Sequence, residues 1–139
     1  MSDITMNSRT AALARAAEAM LRALGGGDVV IRCPVAPAGN AANAELGIEG
    51  PVTEDLSITP AVARSSVARA SDSGLRLEFL FAPASLARYL DDRGESAEDF
   101  FAGALGIVHG QKLLHVESMT AESFAGTPYL YRVVAAETS

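Results

Sequence analysis

The sequence predicts a single α+β domain: an N-terminal amphipathic helix, a bent antiparallel sheet or small β-barrel, and two short helices inserted before the C-terminal hairpin. Three observations support this fold class. Apolar residues follow helical spacing at the start of the chain, alternate with polar residues in several later stretches, and return to helical spacing between positions 83 and 105. Tight turns separate the alternating stretches, which favours antiparallel strands. A length of 139 residues is typical of one domain.

The first element is an amphipathic helix that begins at Ser8, because serine favours the N-cap position. Three consecutive glycines at positions 25–27 end this helix. We expect residues 1–7, which are mostly polar, to be frayed. The apolar side chains of the helix share one face, at Leu13, Ala17, Met20, Leu21 and Leu24.

Strands and a flexible loop are predicted after the glycines. Residues 28–33 are rich in β-branched side chains and are followed by a proline. Residues 36–43 contain proline, glycine and asparagine, and we expect a flexible loop there. Residues 52–59 alternate between apolar and polar side chains until Pro60 interrupts them, and we expect residues 62–70 to continue as an edge strand.

Residues 75–81 have the strongest strand pattern in the chain. Their alternation predicts a central strand whose apolar face lies in the core. Four apolar side chains fall on that face and two charged side chains on the other: Leu75, Leu77, Phe79 and Phe81 against Arg76 and Glu78.

Two short helices precede the last strands. Pro83 opens the first helix, since proline suits the first helical position, and residues 91–94 break it. Ser96 and Asp99 have the spacing of a capping box, which starts the second helix. After these helices the sequence predicts strands at residues 107–109, 112–119 and 129–136, with a loop at residues 120–127 between the last two.

The charge of the chain argues against direct binding to nucleic acid. Eleven basic and seventeen acidic residues give a net charge of −6, whereas a nucleic-acid-binding surface is basic. No apolar run has the length needed to cross a bilayer, and no association with membranes is expected. The single cysteine, Cys33, excludes an intrachain disulfide and a thiolate zinc site, which favours a reducing cytoplasm.

Few residues indicate catalysis. His115 and Glu117 share one face of a predicted strand, where they would form a pair for proton transfer, although alternating His, Glu and Lys is also typical of an exposed hairpin face. Cys33 would need a neighbouring histidine to act as a nucleophile, and its position at a strand end favours a buried thiol. The acidic residues between positions 91 and 99 lack the spacing of a calcium-binding loop. The sequence therefore predicts no catalytic residue, no metal site and no cofactor.

Aromatic residues near the C-terminus form the candidate interface. Phe124, Tyr129 and Tyr131 lie in or beside the last hairpin, and the two tyrosines fall on one strand face. A tyrosine has an apolar ring and a polar hydroxyl, a combination that suits interfaces. The alternative is that these rings cover an alanine-rich core.

Three segments give the chain a family resemblance: residues 55–60 (Asp-Leu-Ser-Ile-Thr-Pro), the strand at residues 75–81, and the C-terminal residues 110–133. In an acidic chain with a leading helix, they resemble the neck proteins of tailed phages and prophages, which are head–tail connector or head-completion components. The helices between positions 83 and 105 depart from the pattern, since such proteins often carry a loop there.

The resemblance implies a small β-barrel with added helices, no active site, and a ring assembled between portal and tail. The implied partners are other copies of the chain and neighbouring neck or tail proteins, in the bacterial cytoplasm or in the virion. Two alternative functions stay open. One is a small-ligand-binding module with a cavity in the bent sheet, lined by Phe79, Phe81 and Tyr129. The other is a small hydrolase or isomerase that uses His115 and Glu117.

Overall fold

The computed structural model describes residues 2–35, 52–65 and 74–137. The flexible loop predicted at residues 36–43 lies outside the described residues. Within the described ranges the chain forms three helices and six strands, in the order α1 (Ser2–Ala23), β1 (Gly27–Pro34), β2 (Thr53–Ser65), β3 (Arg76–Phe81), α2 (Pro83–Arg93), α3 (Ala97–Gly103), β4 (Gly106–His109), β5 (Lys112–Phe124) and β6 (Thr127–Ala136).

The six strands form a closed barrel in the order β1-β2-β3-β6-β5-β4. Every neighbouring pair is antiparallel. β1 closes the barrel on β4 through Val30, Ile31 and Arg32, which lie opposite residues 106–108. The predicted α+β class is confirmed, and of the two predicted forms of the antiparallel sheet, bent or closed, the closed barrel is the one observed.

Two cross-strand ion pairs join residues that lie directly opposite each other in the barrel. Arg32 of β1 faces Asp55 of β2, and its guanidinium donates to the two carboxylate oxygens at 2.9 and 3.2 Å. This hydrogen bond lowers the pKa of Asp55 below its usual value. Arg64 of β2 faces Glu78 of β3 and donates to it at 2.6 Å. A register slip of one residue would separate both pairs, so they favour the observed register.

Aromatic rings fill the barrel. Phe79 and Phe81 of β3 point inward with their ring centroids 6.4 Å apart. Phe101 of α3 lies between Phe81 and Tyr131 of β6, at centroid distances of 5.5 and 6.4 Å. The ring of Phe100 lies edge-on to that of Phe101 at 5.2 Å. The four phenylalanines are at most 1% exposed, so this part of the barrel is a packed core and not a channel.

A second apolar cluster joins α1 to the outside of the barrel. Leu21 is fully buried and packs with Leu80 of β3 and Leu130 of β6. Leu80 faces outward because its neighbours Phe79 and Phe81 point into the barrel, and Leu130 faces outward because the next residue, Tyr131, belongs to the barrel core. The predicted apolar face of α1 is only partly buried against the barrel, since Met20 and Leu24 are 41% and 57% exposed.

The start of α1 differs from the prediction. The helix begins at Ser2, well before the predicted N-cap at Ser8, and so includes residues 2–7. None of these residues is a proline or glycine, so nothing in their backbone chemistry ends the helix at Ser8.

The predicted interruption of β2 at Pro60 is also wrong. β2 runs without a break from Thr53 to Ser65 and pairs with β1 on one side and β3 on the other. Of the edge strand predicted at residues 62–70, residues 62–65 therefore lie inside the sheet, and residues 66–70 lie outside the described residues. The β1–β2 register shifts between Gly27 and Val29, which leaves Pro60 in a bulge of β2. A proline is tolerated there because the extra residue of a bulge lies outside the hydrogen-bond ladder.

The two central helices begin where the sequence predicts, and the first of them ends later than predicted. Pro83 opens α2, but the helix continues to Arg93, past the start of the predicted break at residues 91–94, and ends at Gly94 with φ of 65°. Ser96 caps α3, since its hydroxyl oxygen accepts a hydrogen bond from the Asp99 backbone N–H at 3.1 Å. α3 then ends at Gly103.

Arg93 attaches these helices to the barrel. Its guanidinium forms an ion pair with Glu54 of β2 at 2.7 Å and donates to the carbonyl oxygen of Pro34 at 2.9 Å. It also contacts Glu95 at 3.2 Å and lies 5.9 Å from the ring centroid of Phe100. Only 7% of the side chain is exposed, so these contacts satisfy a charge that is almost fully buried.

Gly26 lets α1 approach β2. A Cβ at this position would lie 2.6 Å from the Leu21 carbonyl oxygen and 3.2 Å from that of Ala61, and both are backbone atoms. A Cβ at Gly27 would meet nothing within 4 Å.

We therefore expect Gly26→Ala to lower the free energy of unfolding by about 1–3 kcal/mol, because the α1–β1 connection must shift. Gly27→Ala is the matched control and should leave stability within about 0.5 kcal/mol of the wild type. Urea denaturation followed by circular dichroism measures both changes. Equal midpoints for the two variants would contradict the close approach at Gly26.

We expect Phe101→Ala to lower the free energy of unfolding by about 3–5 kcal/mol, because it leaves a cavity between α3 and the barrel. Phe124→Ala removes the same group from a site that is 40% exposed, and should cost less than about 1 kcal/mol. Denaturant unfolding of the two variants side by side checks the difference. A cost below about 1 kcal/mol for Phe101→Ala would show that α3 does not belong to the core.

Candidate functional site

The β5–β6 hairpin extends past the rest of the barrel. β6 pairs with β3 only through residues 131–136, whereas the β5–β6 ladder continues to the pair Phe124–Thr127. β5 pairs with β4 only as far as Leu114. Beyond Leu114, the second edge of β5 has no strand partner within the described ranges. We call residues 122–130, which pair only with each other, the hairpin arm.

A two-residue turn closes the arm. Ala125 and Gly126 both have positive φ, at 53° and 83°, as in the type I′ turns that match the twist of hairpin strands. The loop predicted at residues 120–127 is therefore wrong, because β5 continues to Phe124 and β6 begins at Thr127. The sequence signal for such a turn is Asn-Gly or Asp-Gly, and Ala-Gly lacks it.

The three rings predicted as an interface lie in different environments. Tyr131 is 6% exposed and belongs to the barrel core, where burial raises the pKa of its phenol. Tyr129 is half-buried and packs beside the outer cluster that contains Leu21 and Leu130. Phe124 lies at the tip of the arm and is 40% exposed. The accessible aromatic surface is thus Phe124 together with part of Tyr129.

His115 and Glu117 are both exposed, but the carboxylate of Glu117 is bound elsewhere. Arg76 of β3 donates to its two oxygens through Nε and Nη2, each at 2.8 Å. The β5–β6 register shifts between Val116 and Ser118, which places Glu117 in a bulge. No hydrogen bond joins the imidazole of His115 to another described residue. The geometry therefore explains Glu117 as the partner of an arginine on a neighbouring strand.

Cys33 is a buried thiol at the end of β1. It is 1% exposed, and its Sγ lies 3.9 Å from the carbonyl oxygen of Ile31, to which it donates. Burial raises the pKa of the thiol to about 11, and the nearby positive charge of Arg93 only partly opposes this shift. The side chain is therefore protonated at neutral pH, the unreactive form.

Phe79, Phe81 and Tyr129, the rings that would line a ligand cavity in the alternative function, do not lie around a common cavity. Phe79 lines an open cavity at one end of the barrel, Phe81 is fully buried in the core, and Tyr129 packs on the outer side beside α1. Within the described ranges, no three His, Cys, Asp or Glu side chains are arranged to hold a metal ion. No helix in the described part of the chain is long and apolar enough to span a membrane.

Comparisons of the chain with protein-family models, with curated proteins and with solved structures returned no match.

We expect Cys33 in the native protein to react with a thiol reagent at pH 8 no faster than the protein unfolds, because the group is both buried and protonated. The rate of reaction with an aromatic disulfide, measured with and without denaturant, checks this. Fast labelling of the folded protein would contradict this expectation, because it would show that Cys33 is an accessible thiolate able to act as a nucleophile.

Proposed function

We propose that this protein is a non-enzymatic assembly component, resembling the head–tail connector proteins of phages and prophages, and that its hairpin arm contacts a second copy of the chain. One observation carries the proposal: the β5–β6 ladder extends beyond its barrel neighbours and exposes Phe124 at its end. A monomer gains little stability from such an extension, since Phe124 at its tip is 40% exposed and belongs to neither of the two apolar clusters. An interface with a neighbouring subunit would cover it.

The edge of β5 supports strand addition as the mode of contact. Its backbone N–H and C=O groups beyond Leu114 have no neighbouring strand within the described residues, and an unpaired edge accepts a strand from another chain. The contact joins an arm on one copy to a different surface on the next. Contacts of this heterologous kind close into a ring when a whole number of copies, each rotated by the same angle, completes 360°.

The charge distribution supports a structural role in which the protein lies beside DNA and does not bind it. The chain carries a net charge of −6, and basic side chains on the barrel are engaged by carboxylates, as in Arg32–Asp55, Arg76–Glu117 and Lys112–Glu137. An acidic ring repels phosphate, so DNA could pass through it without being held. In this proposal the partners are other copies and neighbouring neck or tail proteins, and the site of action is the bacterial cytoplasm or the virion.

We expect Phe124→Ser to reduce retention of the purified protein on portal-bearing particles, because it removes the apolar contact at the tip of the arm. Leu105→Ser is the matched control: Leu105 is 39% exposed, against 40% for Phe124, and lies outside the arm. Sedimentation of particle-bound protein, with quantification of copies per particle, measures retention. The assay uses particles of the prophage that encodes the chain.

Stoichiometric retention of the wild type and of Leu105→Ser, together with loss for Phe124→Ser, supports the proposal. A single purified species at monomer mass is compatible with it, since small ring contacts form only during assembly. Equal retention of both variants would exclude the arm as the contact. Failure of the wild type to bind particles at any concentration would exclude the connector function.

A further inference from the structure

One end of the barrel contains an open cavity of about 320 Å³ that the proposed assembly function does not use. It lies between the start of β1, the second half of β2, Phe79 of β3 and the β4–β5 turn. Barrel mouths are common positions for small-molecule sites, and this volume lies at the lower end of their range. The cavity is large enough for one small ring system.

Small residues leave the cavity open. Ala63 lies directly opposite Phe79 in the β2–β3 pair, so the two side chains point to the same face. The β1 and β4–β5 sides are lined in part by Gly27 and Gly110, where an added Cβ would meet nothing within 4 Å. A larger side chain at position 63 would therefore occupy space that is now empty.

Aromatic and acidic groups converge on this space. The ring of His109 lies edge-on to that of Phe79, with centroids 6.3 Å apart and planes at 71°. Asp28 also lines the cavity, and its carboxylate has no hydrogen-bond or ion-pair partner among the described residues. No lysine or arginine is among the described residues that form the lining. Asp28 is the one carboxylate among the described residues of the lining.

We propose that this cavity binds small organic cations that carry a planar ring, with the ring against His109 and the cationic group at Asp28. A planar ring gains edge and face contacts from the exposed imidazole of His109, which lies edge-on to the buried ring of Phe79. A protonated amine can donate to the exposed carboxylate of Asp28, and a charge-assisted bond of this kind is stronger than a neutral one. The same carboxylate disfavours anionic ligands of equal shape. This inference does not depend on the assembly function.

Three probes with one ring system and different charges test the proposal. Tryptamine is cationic, 3-methylindole is neutral and indole-3-acetate is anionic. We expect tryptamine to bind the wild-type protein saturably, and about tenfold more tightly than 3-methylindole. Indole-3-acetate should bind more weakly than either. Titrations followed by amide chemical shifts give both the affinity and the location, since the shifts should centre on residues 27–29, 61–63 and 108–110.

Two variants, each with a matched control, separate the contribution of the Asp28 charge from that of the empty volume beside Ala63. Asp28→Asn should lower tryptamine affinity about tenfold and leave 3-methylindole unchanged, whereas Asp92→Asn, an exposed acidic residue on α2, should change neither. Ala63→Leu should abolish binding of both ligands, and Ala87→Leu on α2 should not. Circular dichroism confirms that each variant is folded.

The proposal is overturned if tryptamine causes no saturable shift up to about 10 mM, a concentration that corresponds to very weak binding. Equal affinities for tryptamine and indole-3-acetate, or an unchanged tryptamine affinity in Asp28→Asn, would also overturn it. None of these outcomes bears on the hairpin arm, whose test uses particles and a variant at a different position.

Discussion

The volume inside the closed barrel is the constraint on which the rest of the structure depends. A six-stranded barrel is stable only when side chains fill its interior, and alanine, which is too small for that task, is the most frequent residue in this sequence. Phe79 and Phe81 supply part of the volume from β3, but Phe100 and Phe101 supply the rest from α3. The helical segment between β3 and β4 is therefore part of the core, which explains why Arg93 binds it so closely to β1 and β2.

Barrel closure also determines where the protein can associate. β5 continues past its contact with β4, so its second edge has no strand partner from residue 115 onward within the described ranges. β2 also lacks a second strand partner at residues 53–60, but there Tyr89 of α2 donates to the carbonyl oxygen of Ser57. Because barrel closure removes the edges that invite uncontrolled pairing, the extension of β5 is a place where the described strands offer an edge to another chain. The bulge at Glu117 and the ion pair from Arg132 to Glu122, at 3.4 Å, put charges along this hairpin and limit non-specific pairing.

Hydrophobic periodicity predicted the fold class and most elements, because helical and strand spacing are local properties of the sequence. It placed the buried face of β3, the Pro83 start of α2 and the Ser96 cap of α3. It failed where a local signal was overridden or missing: Pro60 lies in a bulge that only the register with β1 creates, and the Ala-Gly turn lacks the usual asparagine. The candidate interface was even harder to predict from the sequence. Alternation puts Tyr129 and Tyr131 on one face, but the barrel ends between them, so one ring lies in the core and the other lies outside it.

The two proposed surfaces lie at opposite ends of the same strand. β5 begins beside the barrel mouth, next to the turn that contains Gly110, and ends at Phe124 on the tip of the arm. A strand of 13 residues spans roughly 40 Å at about 3.3 Å per residue. A small cation bound at Asp28 would therefore not collide with a subunit bound at the arm. Any coupling between the two sites would have to pass through β5 itself, whose first three residues pair with β4 and whose bulge at Glu117 is held by Arg76. Because the strand is anchored between the sites, the ligand site and the assembly surface are expected to act independently, as separate uses of one rigid barrel.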